Sequence, residues 1–283
     1  MSSKSKITIG GQALIEGVMM RSLDKYAIAV RKPNGKISLK KVPIKNNDKW
    51  YYNFPFLRGI FRFVETLVIG VQAINYSALE SLGEDSDSIS NKELFFTVLF
   101  SVGMTILLFY FLPLLLTNLF TNTSGVLFNL IDGILRLVIF ISYLLIISFI
   151  PDIKRIFMYH GAEHKTVYAY ENKEKLTVKN IQKYTTLHPR CGTNFILIVF
   201  VSSLIVFTLI DSTNFFVRLG YRVVFLPIIA GISYEILRFA GKHFDNPLVK
   251  IIIFPGLMLQ MITTKQPTDD MVEVAVKSLK GVL

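Results

Sequence analysis

Twenty-seven consecutive residues, Leu94–Phe120, carry no charged side chain. A hydrocarbon core of about 30 Å is crossed by roughly 20 helical residues, so a run of this length predicts a membrane-spanning helix. Gly125–Ile150 is a second such run, interrupted by Asp132 and Arg136, and Phe195–Ile210 is a third, slightly short. Val223–Ala240 is a fourth and contains Pro227, Gly231, Glu235 and Arg238. Pro247–Ile262 holds Lys250 and a Pro255-Gly256 break, which reads as an interfacial or re-entrant segment rather than a clean span. The expected fold class is an α-helical multi-pass membrane protein with about four transmembrane helices. The intramembrane pairs Asp132/Arg136 and Glu235/Arg238 are spaced for ion pairing within one helix, toward the ends of their segments. Local pairing or anchoring is favoured over a transport path.

A chain this apolar, with mean hydropathy +0.48, is nevertheless strongly basic, at a formal charge of +11. Either nucleic acid or the cytoplasmic side of a membrane accounts for such an excess. Position decides. Residues 1–92 hold 14 Lys+Arg, 151–194 hold 8 and 241–283 hold 5, whereas the connections 121–124 and 211–222 hold 0 and 2. A four-span layout puts all three basic regions on one side, which the positive-inside rule assigns to the cytoplasm together with both termini. Nucleic acid is thereby disfavoured, and no RNA or DNA module is recognisable. The lone Cys191 excludes an internal disulfide framework, and no cleaved signal peptide is expected after the polar start Met1–Lys6.

Outside the spans, residues 1–50 read as a small β-rich cytoplasmic unit. Lys6–Ile9 and Leu14–Val18 flank a Gly10-Gly11 turn, and Tyr26–Arg31 and Lys36–Val42 flank Pro33-Asn34-Gly35, a strong hairpin signal. Residues 51–82 carry Leu57, Ile60, Phe61, Val64, Leu67, Val68 and Val71 at helical spacing, an amphipathic helix for the bilayer surface or the hairpin unit. Residues 83–92 form an acidic linker. Transmembrane helices 1–2 occupy 93–150, a His-rich cytoplasmic segment 151–194, helices 3–4 195–240, and an interfacial segment with a cytoplasmic tail 241–283.

Chemistry concentrates in the His-rich segment. His160-Gly161-Ala162-Glu163-His164 is H-x-x-E-H, an inverted form of the zinc-protease motif. Histidines four apart share a helix face and can share a divalent metal, zinc first, with Glu163 placed to act as general base. Glu171, eleven positions after His160, returns to nearly the same face, and His188 and Cys191 supply further ligand types. The plainer alternative is two interfacial histidines without metal and a Glu163 paired to Lys165 or Lys154. A second constellation is Gly10, Gly11, Gln12, Glu16 and Arg21, either a recognition element or a turn plus strand with methionines as filler.

Five ordered blocks give the chain a resemblance. They are Ile9–Arg21 (IGGQALIEGVMMR), Pro55–Gly59 (PFLRG), Tyr159–Glu171 (YHGAEHKTVYAYE), Leu187–Asn194 (LHPRCGTN, which includes Arg190) and Pro255–Thr264 (PGLMLQMITT). Together they resemble the bacterial membrane family of unknown function 1385, the YqhQ-type proteins, labelled metal-dependent enzymes. Members usually continue the first block with a Gly-Pro turn, where this chain has Ser22-Leu23. The resemblance implies a bacterial cell membrane protein, and its blocks lie almost wholly on the predicted cytoplasmic face. The H-x-x-E-H spacing makes the favoured expectation a metal-dependent, hydrolase-like site there, in which His160 and His164 bind metal and Glu171, His188 or Cys191 completes the shell. The competing expectation is a non-enzymatic scaffold or regulator that docks another membrane protein complex, such as one for protein insertion or quality control. A transporter is a weaker third.

Overall fold

The computed structural model describes residues 9–44, 54–83, 90–121, 125–209, 214–243 and 246–283. Four antiparallel strands open the fold in the order β1 (Gly10–Leu14), β2 (Gly17–Arg21), β3 (Lys25–Arg31) and β4 (Ile37–Pro43). The β3–β4 hairpin closes as expected around Gly35, whose φ of 78° is open to a residue without Cβ. The first hairpin differs from expectation. Gly10 and Gly11 lie within β1, and the turn is the two-residue link Ile15-Glu16 between the paired Leu14 and Gly17. Glu16 takes the left-handed backbone itself, at φ 50°. A glycine pair reads as a turn in sequence, but here its missing side chains serve close approach rather than reversal. Ser22-Leu23, in place of Gly-Pro, makes the next turn through the Ser22 hydroxyl, which donates to Asp24 Oδ1 at 2.7 Å.

Side chains alternate across this sheet, and both faces are covered. Leu14, Met19, Tyr26, Ile28 and Val30 pack on Ile69 and Ala73 of helix α1 (Leu57–Leu82). Val18, Met20, Ala27 and Ala29 pack on α5 (Pro151–Glu171) and the C-terminal α11 (Asp269–Val282). The tail helix buries Met271, Val272, Val274, Ala275, Leu279 and Val282 there, each of the side chains larger than alanine contributing roughly 1.5–3 kcal/mol. Ser278 is wedged into the sheet, accepting from Met20 N–H and donating to the Ala27 carbonyl, both at 2.9 Å.

The rest is helical. A capping box at Ser90 and Glu93 starts α2 (Asn91–Ile106), which continues through a π turn (Leu107–Phe111) into α3 (Leu112–Phe120). The π turn meets Pro113, which has no N–H for the carbonyl one turn back. Then come α4 (Gly125–Ile147), α6 (Val178–Ile181), α7 (Gly192–Thr208), α8 (Phe215–Val224), α9 (Leu226–Lys242) and α10 (Pro247–Thr263). Among the described residues, two helices are long and apolar enough to cross a membrane, Lys92–Phe120 and Gly125–Ile147. A third candidate is the pair α8 and α9, bent by 46°. That break falls where Pro227 interrupts the ladder, so the expected fourth span is not one straight helix. The third expected span, α7, is apolar but only 17 residues long, as is α10, which runs as one helix through Pro255. Most of the acidic linker lies outside the described residues.

Of the charges within the apolar helices, Asp132 and Arg136 pair within α4 as expected, whereas Glu235 and Arg238 do not pair with each other. Asp132 and Arg136 are buried, not at a segment end, and Arg222 of α8 joins them: Asp132 Oδ2 accepts from Arg136 at 2.5 Å and Oδ1 from Arg222 at 2.7 Å. Glu235 pairs with Arg58 of α1 rather than with Arg238, accepting two bonds at 2.5 and 2.6 Å. The Asp132–Arg136 pair thus braces α4, while Arg222–Asp132 and Arg58–Glu235 each join two helices.

Candidate metal centre

Helix α5 starts on Pro151, whose fixed φ suits a first helical position, and runs 21 residues unbroken. His160 and His164 therefore stack on one face, ring centroids 4.3 Å apart. Gly161 between them lets the chain after α10 lie against the helix: a Cβ there would stand 2.0 Å from the Lys265 carbonyl oxygen. Lys265 N–H donates to the Phe157 carbonyl at 2.9 Å, and this segment brings the Thr263 carbonyl to His160 Nδ1, also at 2.9 Å. Opposite, the Thr186 carbonyl takes His164 Nδ1. A carbonyl only accepts, so each imidazole carries its proton on Nδ1 and leaves Nε2 as a bare lone pair. Such outer hydrogen bonds are what orient metal-binding histidines.

A ring nitrogen of each histidine and Cys191 Sγ lie within 4.8 Å of one another, with His160 Nε2 at 3.3 Å from the sulfur. Cys191 caps α7, accepting from Thr193 N–H at 3.3 Å. His164 Nε2 is buried, and Cys191 is the group that acts on this ring from the cluster side. Ligand atoms bound to one tetrahedral zinc stand about 3.3–3.8 Å apart, so closure by roughly 1 Å makes a three-ligand site with a fourth position open. This buried cluster could hold a metal ion.

Glu163 sits beside it. Only 6% exposed, its carboxylate leaves Oε2 without a partner among the described residues. Burial pushes its pKa up to about 7, against a smaller lowering by His160. A carboxyl poised near neutrality with a free oxygen is suited to taking and returning a proton. Burial also lowers the pKa of His164, keeping the ring neutral, as a metal ligand must be. The plainer alternative for Glu163 is not what the structure holds: Lys165 turns away and donates to the Gln182 carbonyl at 2.9 Å.

These groups line a cleft of about 460 Å³, whose walls also include Ile9–Ala13 of the β1 region, His188 and Arg190. Gly11 lies over Glu163; a Cβ there would be 2.6 Å from the carboxyl. Gln12 turns to the opposite face of the sheet, where Gly70 of α1 makes room for its amide. The remaining candidates stand apart from the ligand cluster. Glu171 shares the face of His160, but eleven residues along a helix is about 16 Å, too far to share an ion. It instead accepts from Arg190 at 2.7 Å, with His188 Nε2 at 3.4 Å. His188 Nδ1 accepts Arg190 N–H at 3.2 Å, so both of its nitrogens are engaged. Glu16 pairs with Arg155 and accepts from the Tyr159 hydroxyl at 3.2 Å, tying the first turn to α5. Arg21 pairs with Glu65 of α1 at 2.9 Å.

Four supporting residues carried no sequence signal of their own: Gly161, Thr186, Thr263 and Gln260. Gln260 of α10 accepts His188 N–H at 2.8 Å and donates back to the His188 carbonyl at 2.9 Å, holding the turn before Cys191. All four lie near or within the resembling blocks, and that clustering was the available clue.

Comparison with known proteins places these features in a lineage. The profile described as "Protein of unknown function (DUF1385)" matches residues 54–283. An uncharacterized protein of Bacillus subtilis (strain 168), YqhQ, is 35% identical over 303 aligned positions that cover 99% of this chain and 94% of the relative. No solved structure matches the chain.

Proposed function

The chain belongs to the DUF1385 family, and we propose that it is a multi-pass membrane protein with a zinc-dependent hydrolytic site on its cytoplasmic face. The observation that carries this reading is the convergence of a ring nitrogen from each of two histidines and one thiol sulfur within 4.8 Å, with both Nδ1 atoms committed to backbone carbonyls. Two nitrogens and a sulfur suit zinc better than magnesium or calcium, which take oxygen ligands. When bound, the ion supplies Lewis-acid polarisation and acidifies water toward neutrality. Glu163 takes the proton of a water as its oxygen adds to a carbonyl carbon, then returns that proton to the leaving group as the bond to it breaks. Three protein ligands among the described residues, rather than four, favour a catalytic over a structural arrangement.

The location follows the same logic. The apolar helices give membrane association, and the basic regions 1–92, 151–194 and 241–283 all contribute to the sheet, the cleft or its supports. The positive-inside rule puts that side in the cytoplasm of a bacterial cell. Elemental analysis of the purified full-length protein tests the site. About one zinc per chain is expected in the wild type, with loss in His164→Ala and in Cys191→Ala. Equal, near-zero metal in all three would falsify it.

A further inference from the structure

The sheet has two edges, and they are treated differently. β4 carries Lys40, Lys41 and Pro43, the residues that commonly keep an edge from pairing with another chain. β1, Gly-Gly-Gln-Ala-Leu, has no charge and no proline, and Gly10 and Gly11 are exposed. It is the edge that lines the cleft beside His160, Glu163 and His164.

The ladder fixes which of its backbone groups are free. Ser278 bridges Met20 N–H and the Ala27 carbonyl, and Arg31 N–H donates to the Glu16 carbonyl. Residues 16, 18 and 20 therefore turn their backbone groups toward β3, and Gly17, Met19 and Arg21 turn theirs toward β1. Their partners Leu14, Gln12 and Gly10 face β2 in return. By alternation, Gly11 and Ala13 direct N–H and C=O away from the sheet, over the free edge. Among the described residues no hydrogen bond to these groups is present. Two residues, i and i+2, each offering a donor and an acceptor in a row, match one kind of ligand: another extended polypeptide backbone.

We propose that β1 is the substrate-binding strand of this protein, and that the substrate class is a polypeptide segment bound in extended form by pairing with Gly11 and Ala13. This deepens the metal-dependent hydrolase reading and rests on it, because the paired strand is carried past Glu163 and the His–His–Cys cluster. Main-chain pairing supplies affinity without demanding a sequence, and the bare Gly10-Gly11 stretch leaves the edge unobstructed. The site then selects an unstructured or locally unfolded stretch of protein over a folded surface or a small ester, since only an unpaired strand has backbone groups to offer.

The test uses the zinc-loaded full-length protein in lipid nanodiscs and three probes. These are acetohydroxamate, which reaches only the metal, a fluorescein-labelled Ala-Leu-Ala-Leu hydroxamate, and the same peptide N-methylated on alternate amides. The peptide is expected to bind at least about 100-fold more tightly than acetohydroxamate, and N-methylation to cost at least about tenfold. Ala13→Pro removes one outward N–H and leaves the Gln12 and Leu14 ladder bonds, so it should weaken the peptide about tenfold and acetohydroxamate less than about twofold. Equal affinity of the parent and N-methylated peptides for the wild type overturns the proposal, even if the proline variant fails to fold. A wild type that takes up no zinc and binds neither hydroxamate instead overturns the hydrolase reading beneath it.

Discussion

Two buried polar clusters, one at the sheet and one among the apolar helices, are built on opposite plans. In the helical cluster, both oxygens of Asp132 are taken by Arg136 and Arg222, and the arginines lie over Phe207 at 5.0 and 5.3 Å. Charge meets charge there, with aromatic faces around it. At the sheet, by contrast, the protons of His160 and His164 are anchored outward to carbonyls while Nε2, Sγ and a Glu163 oxygen face a cleft. Attraction within the first cluster ties α4 to α8, 90 residues apart. In the second, two imidazoles, a thiol and a carboxyl converge on a cleft and could hold a cation. A buried carboxylate taken at both oxygens by arginines from two helices thus signals assembly, and metal-ligand side chains turned to a cleft signal chemistry.

Variants can break that contrast. The largest effect is expected from Asp132→Ala, which leaves Arg136 and Arg222 buried without a carboxylate among the described residues. Loss of about 3–5 kcal/mol is expected, read by thermal unfolding in detergent, with zinc per folded chain unchanged. A change in zinc content would mean that the two clusters are not independent. Next is Gly161→Ala, whose new Cβ would displace Lys265 and with it the Thr263 carbonyl from His160. Zinc affinity measured by chelator competition should fall about 10- to 100-fold, as for other lost outer partners of a ligand histidine. Unchanged affinity would remove the carbonyl from the account of the site. The smallest is Arg31→Ala, which loses exposed contacts to Asp270 and Glu273. It should cost about 0–1 kcal/mol in the same unfolding assay and leave zinc binding alone.

What the sequence could say depended on how local the signal was. Asn34-Gly35 announced its hairpin because turn chemistry sits in adjacent residues, and His160 and His164 announced their shared face because helix geometry is periodic. The charge-free run announced an apolar helix for the same reason. Cys191 was visible only as a ligand type, because its approach to His160 depends on how two distant helices cross. Glu171 was misplaced by periodicity alone: angle repeats along a helix, but distance accumulates. The carbonyls of Thr186 and Thr263 were unreadable, since a backbone oxygen has no letter. Arg222 was equally hidden, because nothing near it in the chain names Asp132 as its partner. Gly10 and Gly11 misled because glycine has two uses, reversal and close approach, and sequence does not separate them.

The Ser278 wedge sets a timetable. The strands it stitches together, around Met20 and Ala27, precede it by 258 and 251 residues, and the helices of the rest of the fold lie between. A chain leaving the ribosome therefore carries a half-covered sheet until α11 follows, and α5 waits with it for the Thr263 carbonyl. Both histidines exist long before that carbonyl reaches His160, so competence at the cleft reports that the early strands and α11 have met.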